Sequence, residues 1–197
     1  MRFRRTVTGV ALTTLSAGLL ATIPLSAAQA VSADLVISQV YGGGGNTGAP
    51  YTHDFVEIYN RGPLPASTAG LSIQYGSATG TGNIGANSGQ LTELPALTVP
   101  SGGYLLVQEG AGAGSGSALP AADVVDPTPI GMSGTEGKVA LVRGTDGLGC
   151  NGGSAPCSDT QRASIIDLLG YGGANFAEGS AAPRLSNTTA ALRAAGG

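Results

Sequence analysis

The chain has no tryptophan, one histidine (His53), two cysteines and two methionines in 197 residues. Each scarcity removes a class of function. A single histidine leaves any hydrolytic triad dependent on His53, and no G-x-S-x-G turn is present to expose a nucleophilic serine beside an oxyanion hole. Two thiols and one distant imidazole are too few ligands for a tetrahedral zinc site. Cations are also sparse. Three of the nine basic residues (Arg2, Arg4 and Arg5) lie at the extreme N-terminus, and Arg61, Lys138, Arg143, Arg162, Arg184 and Arg193 are scattered among twelve carboxylates. No basic patch of the kind that binds nucleic acid or an anionic membrane is visible, and no nucleic-acid partner is expected.

The three arginines precede an apolar run from Val7 to Leu25, broken by Thr13, Thr14, Ser16, Gly18 and Pro24, and Ala28-Gln29-Ala30 follows with small residues at both recognition positions of a signal peptidase. Residues 1–30 therefore read as a secretory signal peptide with cleavage after Ala30. No later stretch is long and apolar enough to span a bilayer, so a secreted, extracellular product is expected. Cleavage leaves six cations against twelve carboxylates, a formal charge near −6. Cys150 and Cys157 lie in GLGCNGGSAPCSDTQ. An even pair in a Gly/Ser/Pro loop of an exported chain reads as a disulfide.

The remaining 167 residues carry period-two apolar patterns and almost no helix signal. Strands are expected near 34–41, 54–60, 70–76, 94–98, 103–109, 137–143 and 164–171, with glycine-rich connections between them. In DFVEIYN (54–60), Val56 and Ile58 share one face and Phe55, Glu57 and Tyr59 the other, so one face joins the core. Val139 and Leu141 against Lys138 and Ala140 repeat the pattern. Many short strands with such punctuation predict an all-β sandwich, one domain over 31–190 with a frayed tail over 191–197.

Four blocks in fixed order carry a family resemblance. DLVISQVYGGGGNTGAPYTHDFVEIYN (34–60) is followed by GLSIQY (70–75), then GYLLV (103–107), and fourth GKVALV (137–142) leading to IIDLLGY (165–171). The chain resembles the lamin tail domain family, which implies an immunoglobulin-like β-sandwich that binds rather than catalyses. It departs from the family at Leu71, where a tryptophan usually follows the glycine. Such an exchange removes buried surface worth on the order of 3 kcal/mol unless the surroundings repack. In relatives the domain accompanies secreted nucleases, phosphatases and other surface enzymes. The implied function is a non-catalytic interaction or targeting module for an extracellular or cell-envelope protein.

Individual residues admit narrower expectations. Gly43, Gly45 and Gly48 match G-x-G-x-x-G, but Pro50 and a strand follow instead of the helix that would receive a pyrophosphate. Asp54 is expected to cap the incoming glycine loop through backbone N–H groups, and Glu57 to pair with a cation on a neighbouring strand. A hydrolase would instead require His53, Asp54 and Glu57 to converge. No cofactor is expected. Calcium remains a weak alternative where Asp54 or Asp146, Asn151 and Asp159 meet glycine-loop carbonyls, without a D-x-[DN]-x-[DN]-G pattern. Asn187-Thr188-Thr189 fits a glycosylation sequon. Tyr41 and Tyr51 flank the glycine loop and, with His53 and Asp54, form the expected contact surface.

Overall fold

In the computed structural model, residues 34–114 and 116–194 are described. The expected leader lies outside them. In chain order the elements are β1 (Leu35–Tyr41), β2 (His53–Asn60), β3 (Ala66–Ser67), β4 (Leu71–Gly76), β5 (Leu91–Glu93), β6 (Thr98–Val99), β7 (Tyr104–Ala111), β8 (Val124–Val125), β9 (Gly137–Arg143), α1 (Asp159–Ser164), β10 (Ile165–Tyr171) and β11 (Ala191–Leu192). A five-stranded sheet runs β11-β1-β2-β7-β8, a four-stranded sheet runs β10-β9-β4-β5, and β3 pairs with β6. This is an immunoglobulin-like β-sandwich. Among the described residues no helix is long and apolar enough to cross a membrane.

The main core lies between the two larger sheets. Leu35, Ile37, Val40, Val56, Ile58, Leu105 and Val107 meet Leu71, Ile73, Tyr75, Val139, Leu141 and Tyr171. The alternation in β2 is as the sequence implied. In β1 it is interrupted, because the register with β2 shifts between Ile37 and Gln39. This bulge at Ser38 lets both Ile37 and Val40 face inward. Ser38 uses its hydroxyl to bond Glu57 Oε1 at 2.7 Å.

β9 departs from the expected half-buried pattern, since every residue from Gly137 to Val142 is buried. Its second face belongs to a second cluster in which Ala140, Val142 and Leu168 meet Ile84, Leu148, Phe176 and both cysteines. The loop after β9 is the roof over this face. Gln74 Nε2 donates to the Asp146 carbonyl and Gln74 Oε1 accepts from Leu148 N–H, while the Lys138 ammonium donates to the Asn151 carbonyl and Asn175 Oδ1. Burial lowers the pKa of that lysine. Cys150 and Cys157 are bonded within this roof.

Three local expectations are corrected. The strand placed at 94–98 is instead two short ones, β5 and β6, because Pro95 brings no ladder N–H. A helix appears at Asp159–Ser164, started by a reciprocal capping box between Ser158 and Gln161 that the S-x-x-Q spacing announces. The tail expected to fray docks instead: β11 pairs with β1 at Val40–Ala191 and Gln39–Leu192, and Arg193 is anchored beyond it. Residues 195–197 lie outside the described part.

Candidate functional site

The glycine loop after β1 is packed shut by backbone. A Cβ on Gly44 would stand 2.0 Å from the His53 carbonyl carbon, and one on Gly45 2.5 Å from Gly112 Cα. Only glycine allows such contact, so these residues serve close packing rather than an open ligand cradle. Asp54 holds the loop from within as expected. Its Oδ1 accepts from Gly44 N–H and its Oδ2 from Met132 N–H, each at 2.8 Å. Burial outweighs these two donors and pushes its pKa up to about 7.

The surface expected here is thereby corrected. Asp54 is buried with both oxygens engaged, and Tyr41 is 2% exposed with its hydroxyl donating to the Asn187 carbonyl at 2.7 Å. Tyr41, Tyr51 and Phe55 form an aromatic cluster with ring centroids 5.4 to 6.1 Å apart, in which Tyr51 is the half-buried outer member. His53, also half-buried, shares a 2.9 Å hydrogen bond with the Thr52 hydroxyl through Nδ1.

The groups a hydrolase would need do not converge, because Asp54 faces the sandwich interior and Glu57, with Phe55 and Tyr59, the opposite side of β2. Glu57 accepts from the Ser38 hydroxyl. Of the calcium candidates, Asn151 is fully enclosed: its amide donates to Thr81 and Ser154, and its oxygen accepts from Gly153 and Ala155 N–H. Among the described residues no three His, Cys, Asp or Glu side chains stand close enough to hold a metal ion.

An open cleft of about 620 Å³ lies at the other end of the strands, where β1, β4 and β10 begin. Leu35, Pro63, Leu64, Leu71, Ile165 and Ile166 line it, with Asp34 and Arg143 at the rim. Leu64 is 73% exposed. Leu71, the position of the expected tryptophan departure, thus borders open space.

The two sheets differ in their outer faces. The four-stranded sheet is roofed, whereas the five-stranded sheet carries three of the four large exposed apolar side chains among the described residues: Tyr104, Val125 and Leu192. Register aligns its outward residues in three rows: Val36, Tyr59 and Tyr104; Leu192, Gln39, Glu57 and Leu106; and Tyr41, Phe55, Gln108 and Val125. The Tyr59 and Tyr104 rings lie 4.7 Å apart and tilted by 34°. Composition announced these tyrosines, but which of them face water depends on where the loops fold back.

A sandwich of this topology, with its glycine loop sealed by the aspartate that opens β2, agrees with a sequence match of the Lamin Tail Domain profile to residues 28–172. The chain belongs to the lamin tail domain family. No curated protein matches the chain. The match ends at the close of β10, so β11 and the Arg193 anchor lie beyond it. This lamin tail domain therefore presents two surfaces on one scaffold, the cleft and an outer sheet face that is open at Tyr104, Val125 and Leu192.

Proposed function

We propose that this lamin tail domain is an exported, non-catalytic interaction module that holds an extended apolar segment of an extracellular or cell-envelope protein in the cleft below β1 and β10. The observation that carries the reading is the cleft itself, with Leu64 projecting from its wall and Leu35, Ile165 and Ile166 inside it. An extended segment fits because the walls are strand ends and prolines, and Asp34 and Arg143 offer one charge of each sign to orient it. Export is supported by the arginine-led apolar leader and by the Cys150–Cys157 bond, which persists in oxidising compartments.

A photo-crosslinking residue at position 64, compared with one at the exposed Thr47 in the glycine loop at the opposite end of β1, tests the module. A protein adduct specific to position 64 and abolished by Leu71→Trp is the expected result. Equal labelling from both positions rejects the cleft as the site. Sequencing the N-terminus of protein recovered from culture medium tests export: it should begin at Val31, and retention of residues 1–30 on a cell-bound product rejects it.

A further inference from the structure

The outer face of the five-stranded sheet is a second surface, open at Tyr104, Val125 and Leu192 and covered at Val36, Tyr41 and Phe55. Its centre is Glu57, flanked along β2 by Phe55 and Tyr59, and the two aromatic positions stand about 13 Å apart at strand spacing. Tyr104, 58% exposed, extends the platform at one end, and Tyr51 crowns the cluster at the other. Between them are the side-chain amides of Gln39 and Gln108 and the hydroxyls of Tyr59 and Tyr104. Among the described residues these four polar groups have no hydrogen-bond partner in the protein. The three rows contain one carboxylate and no cation.

We infer that this face binds a neutral polysaccharide, with sugar rings laid on Tyr104 and Tyr51 and hydroxyls bonded by Gln39, Glu57 and Gln108. The C–H face of a pyranose is apolar and weakly positive, and it complements the negative face of an aromatic ring. A primary amide offers a donor and an acceptor side by side, and a carboxylate accepts two bonds, which suits neighbouring hydroxyls. Tyrosines fixed on a sheet lose little entropy on binding. The charge pattern excludes an anionic polymer, since no cation stands in the rows to neutralise it. A second copy docked about a two-fold axis through the centre would place Glu57 against its own counterpart, a like-charge contact that opposes self-association.

Electrophoresis of the folded, oxidised domain through native gels containing barley β-glucan, galactomannan or dextran, with polygalacturonate as the anionic control, tests the inference. Pull-down on cellulose and chitin extends it to insoluble polymers. At least one neutral polymer should retard or retain the domain, and polygalacturonate should not. Tyr104→Ala and Gln108→Ala should each weaken that binding at least tenfold with an unchanged far-ultraviolet spectrum, while Glu93→Ala on the other sheet binds as the parent. The absence of tryptophan leaves tyrosine emission unobscured. Oligosaccharide titration should change that emission in the parent and change it less in Tyr104→Ala. Failure of every neutral polymer, binding to polygalacturonate alone, undiminished binding by folded Tyr104→Ala, or a protein adduct from a photo-crosslinker at position 104 would each overturn it. Because Tyr104 lies at the end of the sheet where β1 begins, as the cleft does, the adduct at position 104 counts against the sheet face only if it persists in Leu71→Trp, which fills the cleft.

Discussion

Arg193 and Asp167 close the sandwich along the seam between β1 and β10. The guanidinium Nη2 lies 2.8 Å from both carboxylate oxygens, and Arg193 Nε donates to the Ile37 carbonyl at 3.1 Å. Asp167 Oδ2 also accepts from Ile37 N–H at 2.6 Å, so a strand of each sheet and the last strand meet at one carboxylate. The Asp167 side chain is 1% exposed. Removing Arg193 strands that charge without its cation, and Arg193→Ala should destabilise by about 3 kcal/mol. For a domain of this size that is a fall of roughly 6–12 °C in Tm by calorimetry. In an Asp167→Asn background the same change should cost much less. Equal losses in both backgrounds would show that the pair is not coupled.

Glu109 sets the pH response. It is buried between the sheets, where Oε2 accepts from the Thr92 hydroxyl and Ile130 N–H while Oε1 has no partner among the described residues. Burial drives its pKa up to about 8 from the usual 4.5. The folded chain therefore keeps a proton that the unfolded chain releases. Stability from this site is complete below about pH 4.5 and is lost as pH rises through 8. Glu109→Gln mimics the protonated acid, so denaturant midpoints at pH 5 should match the parent. At pH 9 the variant should gain on the order of 3 kcal/mol. A midpoint shift that is the same at both pH values would reject ionisation as the cause.

Asp54 is a contrasting carboxylate, because both of its oxygens accept backbone N–H bonds. In Asp54→Asn the amide nitrogen must face one of those donors whichever way it turns. The variant should lose about 2 kcal/mol at pH 5 and should also be less stable than the parent at pH 7. The glycine loop should show faster hydrogen exchange at Gly44. Stability equal to the parent at pH 5 would mean that the loop does not depend on the bridge.

The disulfide closes a short loop, worth about 2.5 kcal/mol in the chain-entropy account. Its sulfurs also pack beside Ile84, Val142 and Phe176. A Cys150→Ser/Cys157→Ser variant should melt about 5–10 °C lower. The loss should be local at first, with faster exchange in the roof over β9 and little change in β2 and β7. Uniform acceleration across both sheets would assign the bond a global role.

What the sequence disclosed tracks how local the determining interactions are. Strand period placed Val56 and Ile58 inside, and the loop-capping role of Asp54 follows from an aspartate at a strand entrance. Tyr41 misled because alternation shows that a residue faces away from the core without showing what covers it. Here the cover is Tyr51 and the 186–189 turn, 146 residues away at the Asn187 carbonyl. The second cluster was hidden for the same reason. Ala140 and Val142 look half-exposed until the loop beyond β9 folds back, riveted by Gln74 and Lys138 on different strands. Arg193 looked like a frayed end because its partner is 26 residues away and no local pattern signals the pairing.

Leu71 joins stability to binding. It is 5% exposed and packs in the main core, yet it also lines the cleft, so one side of it touches protein and the other open space. A tryptophan there is expected to turn toward Leu64 and Ile165, which line the cleft with it, and away from Ile73 and Leu141 in the core. Most enlargements of a core residue strain a filled interior. At this position the added indole instead removes apolar cleft surface from water, and Tm should stay level or rise by a few degrees. The same side chain takes the space proposed for a partner segment, so crosslinking from position 64 should disappear while polysaccharide retardation by the sheet face persists. A large fall in Tm for Leu71→Trp would show that the cleft cannot accept the ring, and persistence of the crosslink in a stable variant would place the partner outside the cleft.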